Sequence, residues 1–201
     1  MRKLLLFVSL VAPAYPAFGQ GRLTVFVYDY SHSRPELIRA AEDRASTVIS
    51  QTGVFVDWRN CSFPDDCQGG LKPIDVVLTL ESKPRRGLPQ GALGQSLLTG
   101  DDSYSAYARI FVAPILGRAE TASVPPDYLL GYTMIHEIAH LVLGPEHAPW
   151  GLMRKRWGPD EEARIRNGSL RFSKDESTAL RLGMSERIAS ARGATSLAGL
   201  K

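Results

Sequence analysis

The sequence predicts one three-layer α/β domain (of the α+β kind), built on a mixed, twisted sheet of about five strands. Its 201 residues are 44% hydrophobic and 22% charged, which is typical of a single globular domain and not of a disordered chain. Five short β-branched segments, with one helical pattern after the first of them, occupy the chain up to about residue 113, and two further helical patterns follow. This order favours a sheet covered by helices.

The N-terminus has the pattern of a secretory signal peptide. Arg2 and Lys3 form a basic start, residues 4–11 are an apolar run too short to span a bilayer, and small residues precede Gln20 as at a cleavage site. We therefore expect residues 1–19 to be removed and the protein to be secreted or periplasmic. The remaining chain has 22 basic and 21 acidic residues, so its charge predicts no nucleic-acid partner. The mature chain has no other long apolar run and predicts no membrane partner.

The mature chain opens with a strand, a helix and a second strand. Residues 23–30 are rich in β-branched and aromatic side chains and end at a serine-rich turn, which is typical of a strand. Pro35 opens a pattern of apolar residues at helical spacing, and Gly53 ends it. Residues 54–58 predict the second strand.

Three further strands are predicted before the helices. Residues 74–80 and 107–113 are apolar and β-branched, as in buried strands. Residues 91–98 are interrupted by glycines, which weaken a strand and suit the edge of a sheet better than its centre.

A helix that contains the main motif comes next. Asp127 is placed to cap this helix, which is predicted to continue to about Leu143. Gly144 and Pro145 end it, because glycine favours the conformation after a helix and proline cannot continue one. We expect a loop to follow.

The last helix is marked by a capping box. Ser173 and Glu176 have the required spacing, which predicts a helix that ends near Arg192. We therefore expect the folded domain to cover residues 20–192, with a loose tail over residues 193–201. The protein is expected to be a monomer.

The two cysteines predict a disulfide. Cys61 and Cys67 flank a turn-rich segment that can bring them together, and an exported protein meets an oxidising compartment. Closing so short a loop contributes about 2 kcal/mol on the chain-entropy account. A zinc pair is the rival interpretation, but no histidine or second cysteine pair lies nearby in sequence.

Two histidines one helical turn apart mark the candidate site. His136 and His140 project from one face of the predicted helix, so both can reach a single Zn²⁺. Glu137 lies about 100° further round the helix. From there it can reach a water on the metal and act as a general base.

The alternative is a chance match on an amphipathic helix, with the histidines on a polar face. Three of the four histidines of the chain fall within twelve residues, and the helix around them is apolar on nearly every side. Such a helix is largely buried, and buried histidine and glutamate are costly unless something satisfies them. This favours the zinc site.

The residues that follow extend the motif with Gly144, with a third histidine, His147, and with a methionine turn at Gly151, Leu152 and Met153. The chain thereby resembles the metzincin clan of zinc metallopeptidases, and it is also similar to short, exported bacterial proteins with such a helix and a Gly-Leu-Met-Arg turn. The resemblance implies a metzincin-like fold with one catalytic zinc. It implies that His136, His140 and His147 are the zinc ligands. It also implies that Glu137 is the general base and that Met153 forms a hydrophobic floor beneath the metal.

One spacing departs from the clan. Gly144 stands four residues beyond His140, where the clan has three, so His147 is the seventh residue after His140 and not the sixth. One extra helical residue turns the exit from the helix by about 100°. Three acids therefore remain alternatives to His147 as the third ligand. Glu146 is the local alternative, and Glu161 or Glu162 would make the site resemble the HExxH peptidases whose third ligand is a glutamate.

These patterns predict a secreted zinc-dependent endopeptidase that acts on a peptide or protein. The substrate is expected to lie extended along the edge strand near Gly94 and Gln95, with Trp157 as a further contact. The first strand begins so soon after Gln20 that no N-terminal propeptide is expected, so the enzyme should either be active as exported or be held by a separate inhibitor. The competing function is a non-catalytic, zinc-stabilised binding module, which the retained Glu137 disfavours because a structural site needs no base.

Overall fold

A computed structural model describes residues 21–61, 67, 70–72, 74–99 and 105–198, with side chains described up to residue 191. The predicted signal peptide, residues 1–19, lies outside the described residues. In chain order the elements are β1 (Gly21–Asp29), α1 (Pro35–Ser50), β2 (Val54–Asn60), β3 (Asp75–Glu81), β4 (Gly94–Leu97), β5 (Tyr107–Phe111), α2 (Val112–Ala122), α3 (Pro126–Leu143), α4 (Pro159–Arg166) and α5 (Lys174–Ala198).

The described strands form one mixed five-stranded sheet, in the order β2-β1-β3-β5-β4. β1 is parallel to β2 and β3, and β3 is parallel to β5, whereas β4 is antiparallel to β5. The register sets Gln95 of β4 opposite Arg109 of β5. The predicted fold class is confirmed, and β4 lies at the edge of the sheet as its glycine content predicts.

The core forms because the strands alternate and the helices present apolar faces to them. In β1 Leu23, Val25 and Val27 are almost fully buried, and the residues between them are more exposed, as the two-residue period of a strand requires. Helices α1 and α3 pack against each other. A Cβ at Gly131 of α3 would lie 2.5 Å from the carbonyl oxygen of Ala41, so this close crossing depends on glycine.

Two helices differ from the sequence prediction. The strand predicted over residues 107–113 ends at Phe111, and α2 follows directly, because the apolar residues from Val112 onward repeat at helical spacing and Pro114 is tolerated in a first turn. The loop predicted after α3 contains α4, which begins at Pro159. Helix α5 begins at the predicted capping box and extends to Ala198, beyond the predicted end near Arg192.

The structure also tests the predicted helix cap and the predicted disulfide. Asp127 is not the cap of α3, because the helix begins one residue earlier, at Pro126, and Asp127 lies in its first turn. Cys61 and Cys67 form the predicted disulfide, with their Cα atoms 5.6 Å apart. Among the described helices, none is long and apolar enough to cross a membrane.

Candidate metal centre

The motif residues lie on a helix that is buried along most of its length. From Leu129 to Leu141 every residue of α3 is buried, because the helix contacts α1, α2, α5 and the strands β4 and β5. His136, Glu137 and His140 are only 8%, 7% and 5% exposed. Polar side chains at that depth need partners.

The three histidines of the motif meet at one point. The Nε2 atom of His140 lies 3.1 Å from Nε2 of His136 and 3.2 Å from Nε2 of His147. Nitrogen ligands about 2.05 Å from a tetrahedral zinc lie roughly 3.3 Å apart, so these separations fit a shared metal ion. Among the described residues, these three are the group that could hold one.

Two backbone carbonyls determine the tautomers of His136 and His140. Nδ1 of His136 is 2.8 Å from the carbonyl oxygen of Leu152, and Nδ1 of His140 is 2.8 Å from that of Gly144. Because a carbonyl only accepts hydrogen bonds, each Nδ1 carries the proton, and each Nε2 of a neutral ring presents a lone pair. Two facing lone pairs cannot bond to each other, whereas a cation between them satisfies both.

The surroundings keep these imidazoles neutral. Burial, together with the charge of His140, lowers the pKa of His136 to about 3. Burial lowers the pKa of His140, although its contact with a carbonyl opposes the shift. At His147 desolvation lowers the pKa, repulsion between its charged form and those of His140 and Lys155 adds to this effect, and Glu146 opposes it. Neutral imidazoles are the form that binds a metal.

Glu137 is held against the edge strand. Oγ of Ser96 lies 2.7 Å from Oε2 of Glu137 and 2.8 Å from its main-chain carbonyl oxygen. Gly94 leaves the space for the side chain, since a Cβ there would lie 2.6 Å from Cγ of Glu137. Burial raises the pKa of Glu137 to about 7, while the hydrogen bonds of Ser96 oppose the rise. A carboxyl group with such a pKa can exchange a proton near neutral pH.

The extra residue between His140 and His147 is accommodated at Gly144. Helix α3 continues through Leu143, and Gly144 leaves it with φ 89° and ψ −170°, a conformation that favours glycine. The same glycine supplies the carbonyl that holds His140. The chain then returns so that the imidazole of His147, which is exposed, meets the other two.

The methionine turn supports the site through its backbone. The carbonyl of Leu152 accepts from Nε1 of Trp157 as well as from His136, and the carbonyl of Met153 accepts from the N–H of Ala148, next to His147. Met153 is only 2% exposed. The turn thus positions two of the three imidazoles.

The glutamates that were open as third ligands are not part of the histidine group. Glu161 accepts from Arg154 and from the N–H of Gly158, and Glu162 pairs with Arg118. Glu146 is exposed and its carboxylate is not within the ligand group.

A cavity of about 520 Å³ opens beside the histidines. His136, Glu137 and His147 line it, together with Gly94, Gln95 and Trp157, which the sequence proposed as substrate contacts. Trp157 is mostly buried and packs edge-on against the ring of His136.

Three residues of this site were not predicted from the sequence, because they act through contacts that a sequence does not show: Ser96, Leu152 and Arg118. The position of Ser96, two residues after Gly94 and hence on the same face of β4, was the available signal.

Comparisons with known proteins show the fold. No family model and no curated protein matches this chain in sequence. Archaemetzincin from Methanopyrus kandleri is similar in structure, with a TM-score of 0.55 at 19% identity over 87% of this chain and 99% of its own. A zinc-dependent peptidase from Methanocorpusculum labreanum (strain Z) has a TM-score of 0.55 at 14% identity over 78% of this chain and 99% of its own. The chain therefore shares its α/β fold with these two proteins.

Proposed function

We propose that this protein is a secreted zinc-dependent endopeptidase, with His136, His140 and His147 as zinc ligands and Glu137 as general base. The observation that carries the proposal is the meeting of three Nε2 atoms beside a buried glutamate. The two similar structures, one an archaemetzincin and the other a zinc-dependent peptidase, support the same chemistry.

Zinc bound by the histidines would polarise the scissile carbonyl and lower the pKa of a water towards about 7. Glu137 takes the proton from the attacking water and delivers it to the amine that leaves. Ser96 donates to Oε2 of this carboxylate, which orients the side chain of Glu137 for this role. Met153 contributes by packing, because it is buried in the turn that orients the ligands.

The edge strand gives the substrate a place to bind. β4 pairs with β5 on one side, and no other described strand pairs with it. A peptide in extended conformation can add to the free edge through main-chain hydrogen bonds. Gly94 and Gln95 of this strand line the same cavity as Glu137, which brings the scissile bond to the base.

Export is supported by the disulfide and by the sequence of residues 1–19. The bond between Cys61 and Cys67 is the state expected in an oxidising compartment.

Replacing Glu137 by alanine tests the proposal. We expect the variant to retain zinc, because the three imidazoles remain. We expect it to lose peptide cleavage, because Glu137 is the one carboxylate among the described residues that line the cavity. Zinc content and cleavage of a broad peptide library are the measurements. A zinc-loaded wild-type protein that cleaves no peptide of such a library would contradict the endopeptidase proposal.

A further inference from the structure

The cavity beside the histidines has a cationic lining. Four of its residues are basic, and Glu137 is the one acidic residue among the described residues that line it. Glu146, although its charge reaches His147, is not among them. The basic residues are Arg118, Arg154, Lys155 and Arg156.

Two of these four cations are paired with α4. Arg118 forms an ion pair with Glu162 and donates to the carbonyl oxygen of Trp157. Arg154 forms an ion pair with Glu161, at 2.7 Å. Both acids belong to α4, so these contacts fasten the cavity wall to the helix and neutralise half of its positive charge.

The other two cations are available to a ligand. Lys155 and Arg156 are exposed, and neither has an ion pair or hydrogen bond to any residue that the structure describes. The residues on either side of them are anchored, Arg154 by its ion pair and Trp157 by its bond to the carbonyl of Leu152. The backbone is therefore held in place while both charged side chains can turn into the cavity.

We propose that Lys155 and Arg156 form an anion subsite that selects substrates with a carboxylate close to the scissile bond. The inference rests on the proposed peptidase function, since it places a peptide in this cavity. A carboxylate there meets two cations without partners, whereas a lysine or arginine of the substrate meets repulsion. An aspartate or glutamate side chain and a free C-terminal carboxylate offer the same chemistry.

The size of the preference follows from the exposure of the two cations. Exposed ion pairs are weak and are screened by salt, so we expect a preference on the order of tenfold in kcat/KM for a carboxylate over its uncharged amide. The preference should decline as the salt concentration rises. Cleavage of uncharged peptides needs no contact with this subsite.

Matched peptides test the subsite. The substrates are fluorogenic peptides with glutamate or glutamine at the positions flanking the scissile bond, each made with a free and with an amidated C-terminus. Their rates show whether a carboxylate is preferred, and whether a side chain or the C-terminus supplies that carboxylate. Replacing both Lys155 and Arg156 by glutamine should bring the glutamate-to-glutamine or free-to-amidated ratio close to one. Lys83→Gln removes an exposed cation outside the cavity and should leave the ratio unchanged. No preference, or one that survives the double substitution, overturns the subsite.

A binding measurement separates this proposal from the proposed function. Calorimetry with the zinc-loaded Glu137→Gln protein and the same peptides reports recognition without turnover. If wild type cleaves nothing while acidic peptides bind roughly tenfold more tightly than their amides, the subsite stands and the peptidase proposal fails. If peptides are cleaved but neither rate nor affinity depends on the carboxylate, the subsite fails and the peptidase proposal stands.

Discussion

Replacing Gly94 by alanine should separate the position of Glu137 from the binding of zinc. The added Cβ would lie 2.6 Å from Cγ, 2.9 Å from Cδ and 2.8 Å from Oε1 of Glu137. To reach an ordinary contact, the side chain of Glu137 must move by roughly 0.8 Å. The atoms that move are the flexible end of a side chain, so the fold should tolerate the change. The carboxylate, however, leaves the place where Ser96 holds it.

We expect kcat/KM of Gly94→Ala to fall on the order of 10²-fold, because a misplacement of about 1 Å in a reacting group has an effect of that size. Zinc affinity and the melting temperature should stay close to those of wild type, since no histidine contact changes. Peptide cleavage, zinc titration and thermal unfolding measure the three quantities. Gly117→Ala in α2 is the control, because a Cβ there meets nothing within 4 Å. Wild-type activity in Gly94→Ala, or a joint loss of zinc and activity, would refute this reasoning.

Three further predictions concern the ligands, their support and the stability of the fold. His147→Ala should weaken zinc binding by more than the roughly 10–100-fold that loss of a supporting residue causes; unchanged affinity in a chelator competition excludes His147 as a ligand. Trp157→Phe removes one donor to the carbonyl of Leu152 and should weaken zinc binding by roughly tenfold, the lower end of the effect of an outer-shell residue; equal affinities would be the contrary result. Burial raises the pKa of Glu42, whose Oε1 has no partner among the described atoms. The fold is therefore favoured by the protonated form of Glu42: this contribution to the free energy of unfolding is complete below about pH 4.5 and is lost as the pH rises through the folded-state pKa. Glu42→Gln should therefore stabilise the protein against urea by on the order of 1 kcal/mol at pH 8 and by much less at pH 4; a gain that is larger at pH 4 would contradict the assignment.

The sequence predicts those parts of the fold in which a local pattern and its environment agree. The alternation of β1 and the capping box of α5 each specify a structure within a few residues, and both are present. Helix α2 was missed because its start is as apolar as the end of β5, and a short apolar run does not distinguish a buried strand from a helix. Helix α4 was missed because its buried residues, Glu161 and Ile165, are too few to give an apolar stripe.

At the site, the sequence predicts which residues meet but not what holds them. The four-residue spacing of His136 and His140 requires that they share a helix face. Their tautomers, in contrast, depend on carbonyl groups of Leu152 and Gly144, and a backbone carbonyl carries no mark in a sequence. The contact of Ser96 with Glu137 spans 41 residues and exists only because β4 lies against α3.

The spacing of the third histidine shows how a local rule can mislead. An extra residue in a helix changes its exit direction by about 100°, which would carry His147 away from the other two imidazoles if the connection were rigid. Gly144 removes that constraint, because its positive φ gives the chain a direction that other residues rarely adopt. The bond between the N–H of Ala148 and the carbonyl of Met153 then fixes the returning segment. Glycine at this position therefore matters more than its exact distance from His140. A substitution of Gly144 should impair zinc binding through His147, even though an added Cβ would meet no atom within 4 Å.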